Sequence, residues 1–282
     1  MQKLIACLSK ALGLNSQCDY PYPAFDITLP ENRQLHIVGT IHMGTKNLYP
    51  LSEVLLEQLE QCDALIIEAD ITQSGSPFSE PFPEQTELSQ RLSPELFENL
   101  QRYCHELNQP MELLDTLPSW QVALTLQAAQ AQHLGLRPQY GIDYQLINSA
   151  RAVDKNIIEL EGADSQISLL TGLPNGGVSL LEDTLVHWHT NARALQTMIS
   201  WWMNYKSAQE HQILPQTFCE AIYHTLMTER NRQWSKQLHT LPAGKYLVAV
   251  GALHLHGENN LRQLLQEIRH DSRCYLTGKT KH

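Results

Sequence analysis

The chain has 282 residues, of which 42% are hydrophobic and 18% charged, and its formal net charge is −10. A chain of that length can bury a core, and the composition is that of a globular protein rather than a disordered one. The acidity excludes broad nucleic-acid binding through clustered Lys and Arg and disfavours docking on anionic lipid.

None of the six cysteines (Cys7, Cys18, Cys62, Cys104, Cys219 and Cys274) forms a Cys-x-x-Cys pair, which excludes a zinc ribbon or a thioredoxin motif. Their scatter points to free thiols in a reducing compartment. Leu4-Ile5-Ala6-Cys7 has the look of a lipoprotein cleavage box, but only three residues precede it. An apolar h-region of about 7–15 residues has no room there. No run of about 20 apolar residues occurs elsewhere, so neither membrane insertion nor a location outside the cytoplasm is expected.

Residues 1–23 form an N-terminal segment. Ala24–Leu29 and Leu35–Val38 then read as a β-hairpin around the polar turn Pro30-Glu31-Asn32-Arg33, and the second strand runs into Gly39-Thr40-Ile41-His42. Ser52 caps a helix reaching Gln61. The apolar run Ala64–Ile67 is the pattern of a strand buried on both faces, and it ends at Glu68-Ala69-Asp70. Residues 72–86 read as a loop. Helices are expected over 93–107 and 119–134, the latter with Trp120, Leu124, Ala128, Ala131 and Leu134 marking one face. Gly141-Ile142-Asp143 opens another helix, with Asp143 read as a first-turn acid favoured by the helix dipole. Asn156–Glu161 is a short strand. One long helix is expected over 178–203, its stripe running from Leu181 to Trp202. Another should run from Pro215 to Leu238, followed by the strand Tyr246–Val250, Gly251-Ala252-Leu253-His254, a helix over 258–269 and a strand over 273–277.

The fold expected is α/β with α+β character: a mixed central sheet assembled from both chain ends, covered by a large, mostly helical insertion. It corresponds to a single domain over 24–282, with helical insertions at about 87–153 and 163–240.

Four strands end in groups that bind metals or move protons: His42, Glu68, Glu161 and His254. Functional groups gather beyond the carboxyl ends of parallel strands in such sheets. Two of these ends share the form Gly-x-x-His directly after an apolar strand. Imidazole plus carboxylate suits a divalent ion such as Zn, Mn, Co or Fe, which would lower the pKa of a bound water and polarise a carbonyl. Glu68 or Glu161 would either ligate or act as general base. Glu68 is the preferred ligand, as the end of a strand expected to neighbour the first motif. Arg230 falls on a core-facing helical stripe with Cys219, Ile222, Tyr223, Leu226 and Trp234, so it must find an anion. It would orient Glu68 or Glu161, or stabilise an oxyanion. Asn231 sits at the edge of that face. His256 is placed behind His254 at most. His187 and His189 stand roughly 200° apart on a helix and cannot share an ion.

The segments His36–Gly44 and Ala64–Asp70 resemble the first motif of the TraB/GumN family, which includes PrgY and the Tiki proteases that cleave Wnt. Val248–Gly257 resembles its second Gly-x-x-His motif, with Leu253 where members often carry glycine. Gly141-Ile142-Asp143, Leu160-Glu161 with Gln166, and Arg230-Asn231 match further family positions. The resemblance covers residues 24–277. It is strongest with short enterobacterial members, through Gly141–Leu146 and His187–Arg193. It implies a metal-dependent peptidase on a peptide or small-molecule substrate, with His42, Glu68 and His254 on a divalent ion (Mn, Co or Zn) and Glu68, Glu161, Arg230 and Asn231 in catalysis. Two alternatives stand beside it. One is a non-catalytic protein that sequesters a peptide or haem, and the other is hydrolysis by water that His42 activates without a metal.

Overall fold

The computed structural model describes residues 20–70, 72, 85–205 and 220–267. Of the expected elements, the strand over 273–277, most of the 72–86 loop and the start of the Pro215 helix lie outside the described residues. So do Cys7, Cys18, Cys219 and Cys274. Cys62 and Cys104 are buried free thiols, as expected.

Five strands form one mixed sheet: β1 (Ala24–Leu29), β2 (Arg33–Thr40), β3 (Ala64–Ile67), β4 (Asn156–Glu159) and β5 (Gly244–Gly251), in spatial order β1-β2-β5-β3-β4. The hairpin β1–β2 is antiparallel and the other three pairings are parallel. Strands from both chain ends therefore meet as expected, with one correction. β3 does not neighbour β2, because β5 lies between them and pairs with both. Its run Tyr246–Val250 is buried on both faces, which suits the centre of the sheet.

Alternation along the strands divides the core. Leu65, Ile67, Leu247 and Ala249 point to one face, and Ala64, Ile66, Tyr246, Val248 and Val250 to the other. The first face is covered by α1 (Glu53–Gln61), α4 (Ile142–Ala152) and the end of α7 (Trp188–Met203). The second is covered by α8 (Glu229–Thr240), through Trp234 and Leu238, and by the helical residues 261–267. Leu65 and Ile66 are fully buried, and each such side chain contributes about 1.5–3 kcal/mol.

A second core lies away from the sheet. It joins α2 (Pro94–Glu106), α3 (Ser119–His133) and α6 (Val178–Val186) through Leu100, Trp120, Leu126, Leu181 and Leu185. One expectation fails here. The helix over 178–203 is broken at His187, whose φ −96° and ψ 17° are not helical. Its first half packs into this second core and its second half onto the sheet, and one straight stripe cannot face both. On α3, Trp120, Val122, Ala123 and Leu126 are almost wholly buried, whereas Leu124 and Ala128 are only partly so. Leu124 and Ala128 line a cavity. No helix among the described residues is long and apolar enough to cross a membrane.

Candidate functional site

Because β2, β5, β3 and β4 run parallel, their carboxyl ends share one edge, and His42, His254, Glu68 and Glu161 all line one cavity there. Arg230 binds three of them together from α8. Its Nη2 donates to Glu68 Oε2 at 2.6 Å and Glu161 Oε1 at 2.5 Å. Its Nε donates to Glu161 at 3.1 Å, and its Nη1 to Leu226 O at 3.0 Å and His254 Nε2 at 3.2 Å. A guanidinium has five N–H donors, and all are engaged. The cation also lies 4.6 Å from the centre of the Trp234 ring. The buried arginine has thus found its anions, and of the roles expected for it, orienting the carboxylates is the one its bonds serve. Helix α8 is preceded by a π turn over His224–Thr228, from which Leu226 offers its carbonyl. Nothing in the residue pattern announces that turn.

Glu68 is 7% exposed. Its Oε1 accepts from Gly251 N–H at 2.6 Å, and a Cβ on Gly251 would crowd that oxygen at 3.3 Å. Glycine at the end of β5 therefore lets the carboxylate reach the backbone. Burial alone would raise Glu68, but the charges of His254, Arg230 and His42 and the Gly251 N–H outweigh it and bring its pKa down to about 2. His254 is itself lowered to about 4, chiefly by burial. At neutral pH it is uncharged, so Arg230 and His42 are what hold Glu68 ionised. Asn231 holds the His254 ring, accepting from Nδ1 at 2.7 Å through Oδ1 while its Nδ2 donates to Asn259 O. That fixes the proton on Nδ1 and leaves Nε2 to accept from Arg230.

His42 differs from His254. Its Nδ1 donates to Asp143 Oδ2 at 2.9 Å, and its side chain is 62% exposed through the cavity while Asp143 is 10% exposed. Asp143 raises His42 most, against burial, to about 9, and water reaching the ring through the cavity screens part of that pull. Neither histidine is bonded to backbone. Asp143, read from sequence as a helix-dipole acid, is the residue most underestimated. Ile142 N–H donates to Ile41 O at 2.9 Å, and a Cβ on Gly141 would overlap the His42 carbonyl oxygen. Glycine at 141 is what lets α4 begin against the His42 backbone and deliver Asp143. The signal was present in Gly141-Ile142-Asp143. His256 packs edge-on against Trp201 at 5.2 Å and takes no part in this network.

The three residues expected to share a divalent ion do not fit one as arranged. The Arg230 guanidinium bridges Glu68 and His254, and the His254 Nε2 lone pair and both Glu68 oxygens are engaged, which leaves Nε2 of His42 as the open atom of the three residues. Among the described residues, no group of three or more His, Cys, Asp or Glu side chains is placed to hold a metal.

The sequence matches the profile of the TraB/PrgY/gumN family over residues 25–269. It is 50% identical over 247 residues to a protein of Escherichia coli (strain K12) named "Uncharacterized protein YbaP", covering 88% of this chain and 93% of that one. A protein of the same name from Shigella flexneri matches with the same identity and coverage. No solved structure matches the chain. With the family profile spanning most of its length, and with both Gly-x-x-His histidines at one sheet edge, the chain belongs to the TraB/PrgY/gumN family.

Proposed function

We propose that the chain is a hydrolase of acyl compounds, peptides among them, in which His42 activates water. The observation that carries this reading is the His42–Asp143 pair at 2.9 Å, with the other imidazole nitrogen open to a cavity. In the neutral form of His42, Asp143 keeps the proton on Nδ1, so Nε2 takes a proton from water as the water oxygen attacks the acyl carbon. The imidazolium that forms stands beside the tetrahedral oxyanion and then returns the proton to the leaving amine or alcohol. Glu68 is too weak a base at a pKa of about 2. Its ionised carboxylate instead favours the charged form of His42. The Glu68 oxygens and His254 Nε2 already accept hydrogen bonds from Arg230 and Gly251, so the water is activated by His42 itself.

The test is turnover of a panel of chromogenic acyl esters, anilides and peptides by the wild type and His42→Ala, with and without chelator. Turnover that survives chelation and disappears in His42→Ala supports the reading. No turnover on any substrate, or activity abolished by chelation, overturns it.

A further inference from the structure

We infer that the cavity selects an uncharged ligand with one long apolar arm, a neutral acyl amide or ester, and turns away free carboxylates. This inference rests on reading the cavity as the substrate site. The cavity measures about 520 Å³, within the range of about 300–1,000 Å³ that small-molecule sites occupy. Its wall comes from several elements and is mostly apolar: Leu124 and Ala128 of α3, Leu169 of α5 (Ala163–Thr171), Leu195 and Met198 of α7, and Met227. The methionines can repack around unbranched or aromatic groups.

The charges decide the rest. Glu68 and Glu161 share the one Arg230 cation and Asp143 faces His42, so carboxylates outnumber the guanidinium at this edge. All donors of Arg230 are taken, and His42 already has Asp143. A further carboxylate in this low-dielectric wall would face the charges of Glu68 and Glu161, with only the open nitrogen of His42 beside it. Hydrolysis would create a carboxylate in the same place, and the charges of Glu68 and Glu161 would then help expel the product.

The experiment titrates straight-chain n-alkanols and n-alkanoates of increasing length into the full chain at pH 7 by calorimetry. We expect the alkanol Kd to fall about fourfold per methylene, up to the length that fills the cavity, with the matching alkanoates about tenfold or more weaker. Ala128→Trp, or Leu195→Trp should the first not fold, is expected to abolish the length dependence. No length dependence in the wild type, or alkanoates binding as tightly as alkanols, overturns the inference. If alkanols bind as expected but no acyl substrate is turned over, the hydrolase reading falls and the ligand class stands. Turnover without the length dependence does the reverse.

Discussion

Replacing Arg230 with methionine keeps an apolar stem of similar reach and removes the guanidinium. The side chains of Arg230, Glu68 and Glu161 are 13%, 8% and 11% exposed, so solvent does little to compensate. Two carboxylates lose their shared cation and His254 Nε2 loses its donor. Breaking a buried ion pair from one side costs about 3–5 kcal/mol, because the remaining charge is stranded. We predict a loss of stability in that range for Arg230→Met at pH 7, read from urea denaturation. The loss should depend on pH. Without Arg230, one of the charges that hold the Glu68 pKa down against burial is gone and its folded pKa rises. The stability that a depressed carboxyl contributes is fully present above its unfolded pKa and is lost as pH falls through the folded value, so the share that Arg230 supplies is larger at pH 7 than at pH 4. The destabilisation should therefore be smaller at pH 4 than at pH 7. Adding Glu68→Gln should recover part of it, with a coupling of about 0.5–3 kcal/mol in the double-mutant cycle. A loss below about 1 kcal/mol, or one equal at both pH values, would refute the view that Arg230 clamps this site.

Asp143→Asn should leave the fold intact and lower kcat by about 10²–10⁴-fold, because the amide can fix the wrong His42 tautomer. Wild-type kinetics with circular dichroism would check it, and an unchanged kcat would remove Asp143 from the mechanism. Gly141→Ala should force α4 away from His42, since its Cβ overlaps the His42 carbonyl. Thermal unfolding should show a loss larger than the few tenths of a kcal/mol typical of surface changes, together with a fall in activity, and wild-type values in both would contradict the close approach. Asp26 accepts hydrogen bonds from His36 and Tyr20 and its pKa is lowered, against burial and chiefly through His36. Its contribution is present above its unfolded pKa and fades as pH falls through the folded value. Asp26→Asn should thus flatten the acid limb of the stability curve, and an unchanged limb would count against the network.

The sheet was legible in the sequence because apolar runs such as Ala64–Ile67 and Tyr246–Val250 have few readings other than buried strands. The gathering of His42, Glu68, Glu161 and His254 was legible too, because each stands just past a parallel strand. The strand order was not, since nothing local in Tyr246–Val250 says that it pairs with both β2 and β3. The break at His187 escaped because the stripe from Leu181 to Trp202 keeps its period across it, while its two halves answer to different cores. The ligand geometry escaped because composition announces donors but not what already occupies them. Arg230 was expected to find an anion. That it would spend all its donors, one of them on His254, depends on Leu226 and Trp234 in three dimensions. Asp143 was hidden by an adequate bland explanation, the first turn of a helix, and only the packing of Gly141 against His42 raises it above that.

The account is tested most directly by following His42 ionisation and catalysis together. Histidine-selective NMR titration of the wild type should place the His42 transition well above the ordinary value of about 6.5, towards the value of about 9 to which Asp143 raises it. In chelator, kcat/KM should rise about tenfold per pH unit below that same transition and level off above it. Both midpoints should move down together in Asp143→Asn. A rate profile that ignores the His42 transition, or one that returns only when a divalent ion is added back, would contradict hydrolysis by His42-activated water.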